Sequence, residues 1–270
     1  MHGVFLDKQT FDSAIDLQRI EQQLTQLTTY QTTHEDKVLS RSLDADIIIT
    51  NKVVLDKQLL SKLPQLKLIC ITATGYNNVD IEAAKMHGIA VTNVCGYASN
   101  SVAQYVFSQL LEYYQKTTHH NNNTAQGRWS ACNTFCYHGE SISELAGKTL
   151  GIVGYGSLGQ AVATIARAFS MEVLISERPH SKSIRTGRVS FNDVINHADI
   201  ITLHCPQTPD TEKLINEEVL NNMKDSAVLI NTARGALIDE PALLEALQQK
   251  KIAYAVLDVL SQEPPPADHP

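Results

Sequence analysis

Three glycines with the spacing GxGxxG are the clearest chemical signal in the sequence. Gly154, Gly156 and Gly159 follow the apolar run TLGIVG and open the helical pattern LGQAVATIARAF. In this context the first glycine permits a tight turn, the second lets the backbone approach a diphosphate, and the third lets the helix pack close to the strand. The helix N-terminus adds unpaired N–H groups and the positive end of its dipole. The spacing therefore predicts a dinucleotide-binding turn.

A carboxylate, Glu177, ends the next apolar run, 18 residues after Gly159. A carboxylate at this position accepts hydrogen bonds from the adenosine ribose hydroxyls and repels a 2′-phosphate. The alternative interpretation is a solvated carboxylate at a strand end. Basic residues that could accept NADP instead follow closely; they are Arg178, Lys182, Arg185 and Arg188. We predict NAD as the cofactor, with NADP less favoured.

The elements that must position these residues alternate along the chain. Apolar runs in the first half read VFLD, DIIIT, LKLICIT and IAVTN, and those in the second half read TLGIVG, EVLIS, DIITLHC, AVLINT and AYAVLDV. Strands that are apolar on both faces and alternate with helices predict parallel sheets covered on both sides. We therefore predict an α/β protein with two parallel-sheet domains, residues 1–98 and 99–270.

A long helical pattern, Ser101–Lys116, follows the boundary, and the polar tract TTHHNNNTAQGRWS follows the helix. We interpret this tract as a solvated loop. Cys132, Cys136 and His138 could form part of a metal site, but no fourth ligand follows at a recognised zinc spacing. We predict a reduced cluster on a loop, and no metal.

Composition narrows the function classes. Apolar residues make up 43% and charged residues 19% of 270, and the net charge is −7 with no basic block, which argues against nucleic-acid and anionic-membrane partners. No apolar run approaches a membrane span, and the start MHGVFLDKQT does not resemble a signal peptide. The five scattered cysteines do not suggest a disulfide scaffold. We expect a cytoplasmic protein.

Longer blocks resemble a known family. GKTLGIVGYGSLGQAVA, LHCPQTPDTEKLIN, VLINTARGALIDEPALLEAL and AVLDVLSQEPP resemble, in order and spacing, the signatures of the D-isomer-specific 2-hydroxyacid dehydrogenases. WSACNTFCY and ITATGYNNVDIEAAKMHGIAVTNV resemble the glycerate dehydrogenase (hydroxypyruvate reductase) branch. The resemblance implies a Rossmann NAD-binding domain over 99–270. It also implies a flavodoxin-like substrate domain over 1–98 that lacks its C-terminal return segment, with an active cleft between the two.

The resemblance also implies residue roles. Arg234 is the arginine that holds a 2-oxo acid through its planar fork and polarises the carbonyl. Glu263 is the acidic partner that orients the catalytic histidine and raises its pKa. Asp258 anchors the nicotinamide carboxamide. Backbone N–H groups of Ala73, Thr74 and Gly75 hold the substrate carboxylate. The other implied cofactor contacts are Val102, Gly154, Gly156, Ser157, Leu158, Gly159, Cys205, Pro206, Thr211, Thr232 and Ala233.

One family element is not found. The catalytic histidine normally follows the Glu263 block in a TPH motif, whereas this sequence ends in DHP, and His269 matches the DHP that precedes the motif. We therefore expect a C-terminally truncated chain, and its own activity stays open at this point.

The implied reaction is reversible hydride transfer between NAD(H) and a small 2-oxo or D-2-hydroxy acid. Hydroxypyruvate/D-glycerate and glyoxylate/glycolate are the favoured pairs. The alternatives are lactate, phosphoglycerate, formate or phosphite as substrate, or an NAD-sensing binding protein without activity. A homodimer through the second domain is expected, because relatives dimerise there and the helix Ser101–Lys116 and the stretch around Trp129 and Phe135 carry excess apolar surface.

Overall fold

The computed structural model describes all residues, Met1–Pro270, as two compact units, Met1–Tyr97 and Ala98–Pro270. Each unit is built on a five-stranded sheet in which every strand pair is parallel. The predicted fold class, α/β with two parallel sheets, is confirmed. No helix has the combination of length and apolar character that a membrane crossing needs.

The first unit alternates strands and short helices. Its elements are β1 His2–Phe5, α1 Gln18–Glu21, β2 Gln26–Thr29, α2 Glu35–Ser42, β3 Ile47–Thr50, α3 Lys57–Leu60, β4 Leu68–Ile71, α4 Ile81–Met86 and β5 Ala90–Thr92. The strand order is β2-β1-β3-β4-β5. This 2-1-3-4-5 order is that of flavodoxin-like sheets, as the resemblance implied.

Local sequence explains these elements. All four residues of β3, IIIT, are buried, as expected for a central strand covered on both faces. The helix α4 begins because the side chain of Asp80 accepts a hydrogen bond from the backbone N–H of Ala83 at 2.9 Å. It ends before Gly88, whose φ of +70° favours glycine.

The second unit opens with two helices and continues with the strands that carry the glycine turn. Its elements are α5 Ser99–Gln115, α6 Thr117–Ala125, β6 Thr149–Val153, α7 Ser157–Ala168, β7 Glu172–Ile175, α8 Phe191–His197, β8 Ile200–Leu203, α9 Glu217–Asn221, β9 Val228–Asn231, α10 Glu240–Gln248 and β10 Tyr254–Leu257. The strand order is β10-β9-β8-β6-β7.

The strand that would come next to β7 in this sheet is reduced to one residue, Val189. Val189 forms a parallel bridge with Ser176, donating from its N–H to the Ile175 carbonyl at 2.9 Å and accepting from the Glu177 N–H at 2.8 Å. Counted with this bridge, the sheet has the 3-2-1-4-5-6 order of the Rossmann fold. The chain therefore reverses its direction of growth between β6 and β8.

The polar tract after α5 is helical, so the prediction of a loop there was wrong. α5 stops at Lys116, which has a φ of +51°, and α6 follows at once. Asn123 is buried and lies 2.6 Å from Nε2 of His119, one helical turn away, while Nδ1 of His119 lies 3.3 Å from Glu140. These contacts outweigh the weak intrinsic helix propensity of the asparagine-rich sequence.

Candidate functional site

The turn between β6 and α7 needs glycine at two positions, because a side chain there would collide with the neighbouring backbone. Gly154 has a φ of +97°, and a Cβ there would lie 2.5 Å from the nitrogen of Cys205 and the carbonyl carbon of His204. A Cβ on Gly159 would lie 2.2 Å from the Gly154 oxygen. A Cβ on Gly156, in contrast, would meet nothing within 4 Å. The turn is closed on its sheet side and open at Gly156, which fits a diphosphate lying against the backbone.

The helix behind this turn presents its N-terminus without a competing charge. α7 begins at Ser157, Gly156 is its N-cap, no side chain caps the first N–H groups, and its first turn carries no acidic residue. Its 12 residues align enough peptide dipoles to favour an anion at this end. Ser157 is exposed and Leu158 is half-buried at the same end.

The loop after β8 borders the turn at the point where the strand order reverses. The His204 N–H donates to the Val153 carbonyl at 2.7 Å, which holds the ends of β6 and β8 together. Further along, the Thr211 hydroxyl donates to the Pro206 carbonyl at 2.8 Å and accepts from the Thr208 N–H at 2.7 Å. Ligands of open α/β sheets bind at such a reversal, so Cys205, Pro206 and Thr211 border the expected place for the cofactor.

His204 is a half-buried residue of this loop that the sequence did not single out. Its Nε2 lies 2.9 Å from the Thr202 hydroxyl, and its Nδ1 is buried with no partner. Burial lowers the pKa of His204 to about 4 and raises the pKa of the Cys205 thiol to about 11. Both groups are therefore neutral near pH 7, and the signal that could have found His204 is its position at the end of a central strand.

Glu177 is engaged by the chain itself. It is only 4% exposed, Oε1 accepts from the N–H of Arg178 at 2.8 Å and from Nη2 of Arg185 at 2.5 Å, and Oε2 accepts from Nε and the N–H of Arg185 at 2.8 and 3.2 Å. The Arg185 side chain and these N–H groups hold the pKa of Glu177 far below its usual range. The role of Glu177 in ribose binding stays a prediction, and the sequence did not predict its pairing with Arg185.

The residues after β9 form a tight, self-bonded turn. The buried Asn231 accepts from the Ala233 N–H at 3.0 Å and donates from Nδ2 to the Arg234 carbonyl at 2.8 Å, and Nη1 of Arg234 donates to the Ala233 carbonyl at 2.6 Å. The Thr232 hydroxyl is buried without a partner. Because an orphaned buried hydroxyl is costly, this atom fits a site that a bound cofactor completes.

The chain after β10 lies against this turn. The Asp258 N–H donates to the Asn231 carbonyl at 3.0 Å, and a Cβ on Gly235 would lie 1.9 Å from the carbonyl carbon of Leu260. Glu263 is exposed and accepts from the Leu260 N–H at 3.0 Å. The structure thus brings the Asp258–Glu263 segment to the same sheet edge as Arg234.

Three further positions that the sequence analysis considered make local contacts in the second unit. Nε2 of His269 lies 3.2 Å from the Glu240 carboxylate at the start of α10. Val102 is half-buried on α5 and packs against the apolar core, so its place near the nicotinamide stays a prediction. Sγ of Cys136 lies 3.6 Å from Nε2 of His138 in an irregular stretch.

In the first unit, the loop after β4 offers free donors. The Val94 N–H donates to the Ala73 carbonyl at 3.1 Å, the Thr74 hydroxyl donates to the Val94 carbonyl at 2.9 Å, and Nδ2 of Asn93 donates to the Thr74 carbonyl at 2.8 Å. The N–H groups of Ala73, Thr74 and Gly75 donate to no acceptor in the chain. Free successive N–H groups are suited to a carboxylate.

A buried carboxylate that the sequence did not reveal fixes the neighbouring loop. Asp7 is 5% exposed and accepts from the N–H groups of Asn51 and Lys52 at 3.0 and 2.7 Å and from the Thr50 hydroxyl at 3.2 Å. Because Thr50 pairs with Ile71 in adjacent parallel strands, this loop lies beside the start of the loop that holds Ala73. A sequence signal was available only in the position of Asp7, two residues after the end of β1.

These features define the class of the protein. A sheet in Rossmann order carries an open glycine turn and an uncapped helix N-terminus at the reversal of strand order, and an orphaned hydroxyl after β9. This combination is that of a dinucleotide-binding α/β protein.

Comparison with known proteins places the chain within that class. The family model for the D-isomer specific 2-hydroxyacid dehydrogenase, NAD binding domain, matches residues 107–270. A putative 2-hydroxyacid dehydrogenase of Haemophilus influenzae is 43% identical over 270 residues, covering 100% of this chain and 85% of that protein. The chain belongs to the D-isomer-specific 2-hydroxyacid dehydrogenase family, and it is an NAD-dependent dehydrogenase.

Two further proteins match over nearly the whole length of this chain. A glycerate dehydrogenase of Methylorubrum extorquens is 39% identical over 262 residues, which cover 97% of this chain and 82% of that protein. A solved acyclic imino acid reductase in complex with NADPH and D-Arg is 32% identical with a TM-score of 0.84, covering 97% of this chain and 84% of the other. The assignment of NAD binding to residues 107–270 comes from the family model.

Gly156→Ala separates cofactor binding from folding. The Gly156 backbone, with φ −83°, accepts alanine, and the added methyl group meets no atom of the chain. We expect a nearly unchanged melting temperature and a rise of at least about tenfold in the Kd for NADH, measured by quenching of nucleotide fluorescence. Gly159→Ala is the contrasting variant, because its methyl group collides with the Gly154 carbonyl and lowers stability. An unchanged Kd in Gly156→Ala would exclude the diphosphate from this turn.

The lowered pKa of His204 predicts that the free energy of unfolding depends on pH. Its folded pKa of about 4 lies below the ordinary histidine pKa of 6.5, so between these values the unfolded chain binds a proton that the folded chain excludes. Stability present above pH 6.5 is therefore lost as the pH falls towards 4, by up to about 3 kcal/mol. Urea unfolding followed by the fluorescence of Trp129 measures this loss.

The matched pair for this measurement is His204→Asn and His197→Asn. His197 is exposed, and its ring contacts only the Asp193 carbonyl of its own helix. His204→Asn should flatten the pH dependence between 6.5 and 4.5, whereas His197→Asn should retain it. Equal slopes in the two variants would show that other groups cause the loss.

Proposed function

We propose that this dehydrogenase interconverts hydroxypyruvate and D-glycerate with NAD(H). The observation that carries the proposal is the run of free N–H groups of Ala73, Thr74 and Gly75 in the first unit. Such a run suits a carboxylate, which every small 2-oxo acid carries. The name of the Methylorubrum relative, glycerate dehydrogenase, supports the choice of substrate pair.

Arg234 is proposed to orient the substrate. Asn231 holds the backbone of Arg234 from both sides through the Ala233 N–H and the Arg234 carbonyl, and this fixes the direction in which the side chain leaves the sheet edge. A guanidinium binds a 2-oxo acid bidentately and stabilises negative charge that develops on the carbonyl oxygen. When bound, the nicotinamide supplies or accepts the hydride at the second carbon of the acid.

Glu263 is proposed to orient the histidine that the family resemblance expects. Its Oε1 accepts from the Leu260 N–H, while Oε2 makes no hydrogen bond within the chain. A carboxylate with a free oxygen fixes an imidazole in one tautomer and favours its protonated form. The close contact of Gly235 with Leu260 sets where this carboxylate stands relative to the turn of Arg234.

We infer a cytoplasmic location for this reaction. All five cysteines are free, and free thiols are typical of a reducing compartment.

The deciding experiment is a steady-state assay of the full-length gene product. Hydroxypyruvate, glyoxylate and pyruvate are each supplied with NADH, and kcat/KM is compared. We expect the highest value for hydroxypyruvate. A clear preference for pyruvate or glyoxylate would refute the proposed substrate pair but not the family.

Arg234→Lys tests the substrate role in the same full-length protein. Lysine keeps the charge but loses the planar fork, so kcat/KM should fall by at least about a hundredfold. The Kd for NADH should change by less than about threefold. Normal efficiency in this variant would assign Arg234 to a structural role.

We also propose that the protein is a homodimer through its second unit. Phe135 is 91% exposed and Trp129 is 52% exposed, and the two are joined because Nε1 of Trp129 donates to the Phe135 carbonyl at 2.9 Å. The helix α5 buries Ala103, Val106, Phe107, Leu110 and Tyr114 against its own unit, while Val102, Tyr105, Leu111 and Tyr113 are only half-buried. Contact with a second copy would cover these rings.

Light scattering at low micromolar concentration tests the dimer. We expect twice the chain mass for the wild type and a shift towards monomer in Phe135→Ser. Ile184→Ser is the matched control, since Ile184 is also exposed, at 54%, but lies in a different loop. A monomeric wild type would contradict the proposal, provided that circular dichroism shows a folded chain.

A further inference from the structure

The segment between β7 and the Val189 bridge is a closed loop without a helix. It contains residues 178–188, and most of its residues are exposed. At its base the Arg188 Nη1 donates to the Ser176 carbonyl at 3.1 Å, and across it Arg185 binds Glu177. The conformation of the loop is therefore tied to one buried carboxylate.

This carboxylate has no acceptor position left. An ionised carboxylate has about four lone-pair sites. Two backbone N–H groups, of Arg178 and Arg185, and two side-chain nitrogens of Arg185 occupy them. A ribose diol beside Glu177 needs the same sites, because its hydroxyls must donate to them. Arg185 and the diol consequently compete for one group.

The outer side of the Arg185 guanidinium faces solvent. The side chain of Arg185 is 53% exposed although Glu177 beneath it is 4% exposed, and Nη1 of Arg185 donates to no atom of the chain. The paired guanidinium cancels the charge of Glu177 and leaves donors pointing outward. Such donors match the oxygens of a phosphate better than they match a hydroxyl.

We infer that Arg185 sets the cofactor specificity of this chain, by occupying the Glu177 carboxylate against the ribose diol of NADH and by offering its free guanidinium edge to the 2′-phosphate of NADPH. The inference rests on the proposed function in one respect, the placement of the adenosine ribose beside Glu177. It predicts that NADPH binds with an affinity near that of NADH, although Glu177 is acidic. Removal of Arg185 should therefore strengthen the binding of NADH and weaken the binding of NADPH.

Direct binding measurements test this cofactor preference without turnover. The Kd values of NADH and NADPH are determined by calorimetry for the 270-residue wild type, Arg185→Ala and Arg178→Ala. In Arg185→Ala we expect tighter NADH binding and weaker NADPH binding, so that the ratio of the Kd for NADPH to that for NADH rises at least about tenfold. Arg178 is the matched control, because it carries the same charge in the same loop and only its backbone contacts Glu177.

The double variant Glu177→Gln/Arg185→Ala tests whether Arg185 acts on NADH binding through the Glu177 carboxylate. If Arg185 weakens NADH binding by occupying the carboxylate, the gain seen in Arg185→Ala must disappear once Glu177 is neutral. An unchanged ratio in Arg185→Ala, or an equal rise in Arg178→Ala, overturns the inference while leaving cofactor binding intact. Failure of the wild type to bind either nucleotide would instead refute the proposed site, and melting temperatures confirm that every variant is folded.

Discussion

Where Gly154 lies against His204 and Cys205, two backbones meet with no side chain between them, and the rest of the cofactor site depends on that contact. It brings the ends of β6 and β8 together at the reversal of strand order, with Val153 and His204 joined by a hydrogen bond. It also turns the open side of the loop, at Gly156, away from the sheet. Because His204 and Cys205 behind the contact are neutral, the positive end of the α7 dipole is not opposed by a charge on either residue.

A second backbone contact organises the opposite half of the same sheet edge. Gly235 lies against Leu260, and Asn231 uses its side chain and its carbonyl to hold both neighbouring segments. Main-chain contacts thus help to place Arg234 and Glu263. Main-chain contacts of this kind fix where the two side chains leave the backbone. Glu177 differs, because Arg185 occupies its carboxylate.

Much of this arrangement could be predicted from the sequence. Strands such as IIIT and the glycine turn with its helix give strong local signals, because burial on both faces and the GxGxxG spacing each have a single physical interpretation. The edge strand β2, with the sequence QLTT, was missed because three of its four residues are polar. The helix α6 was missed because contacts of Asn123 and His119 stabilise it, not its own propensity. The pairs Asp7 with the β3 loop and Glu177 with Arg185 depend on loop conformations that periodicity does not encode.

The strand that is reduced to Val189 affects whether the edge of the second sheet can pair with another copy of the chain. β7 lies at one edge of its sheet, and a free strand edge is a template on which another chain can add a strand. The returning residue Val189 occupies the outer side of β7 at its carboxyl end, and the exposed Glu172 places a charge at its start. The loop that ends at Val189 is held down by Arg185 and Arg188. These two arginines therefore hold in place the residue that covers the carboxyl end of this sheet edge.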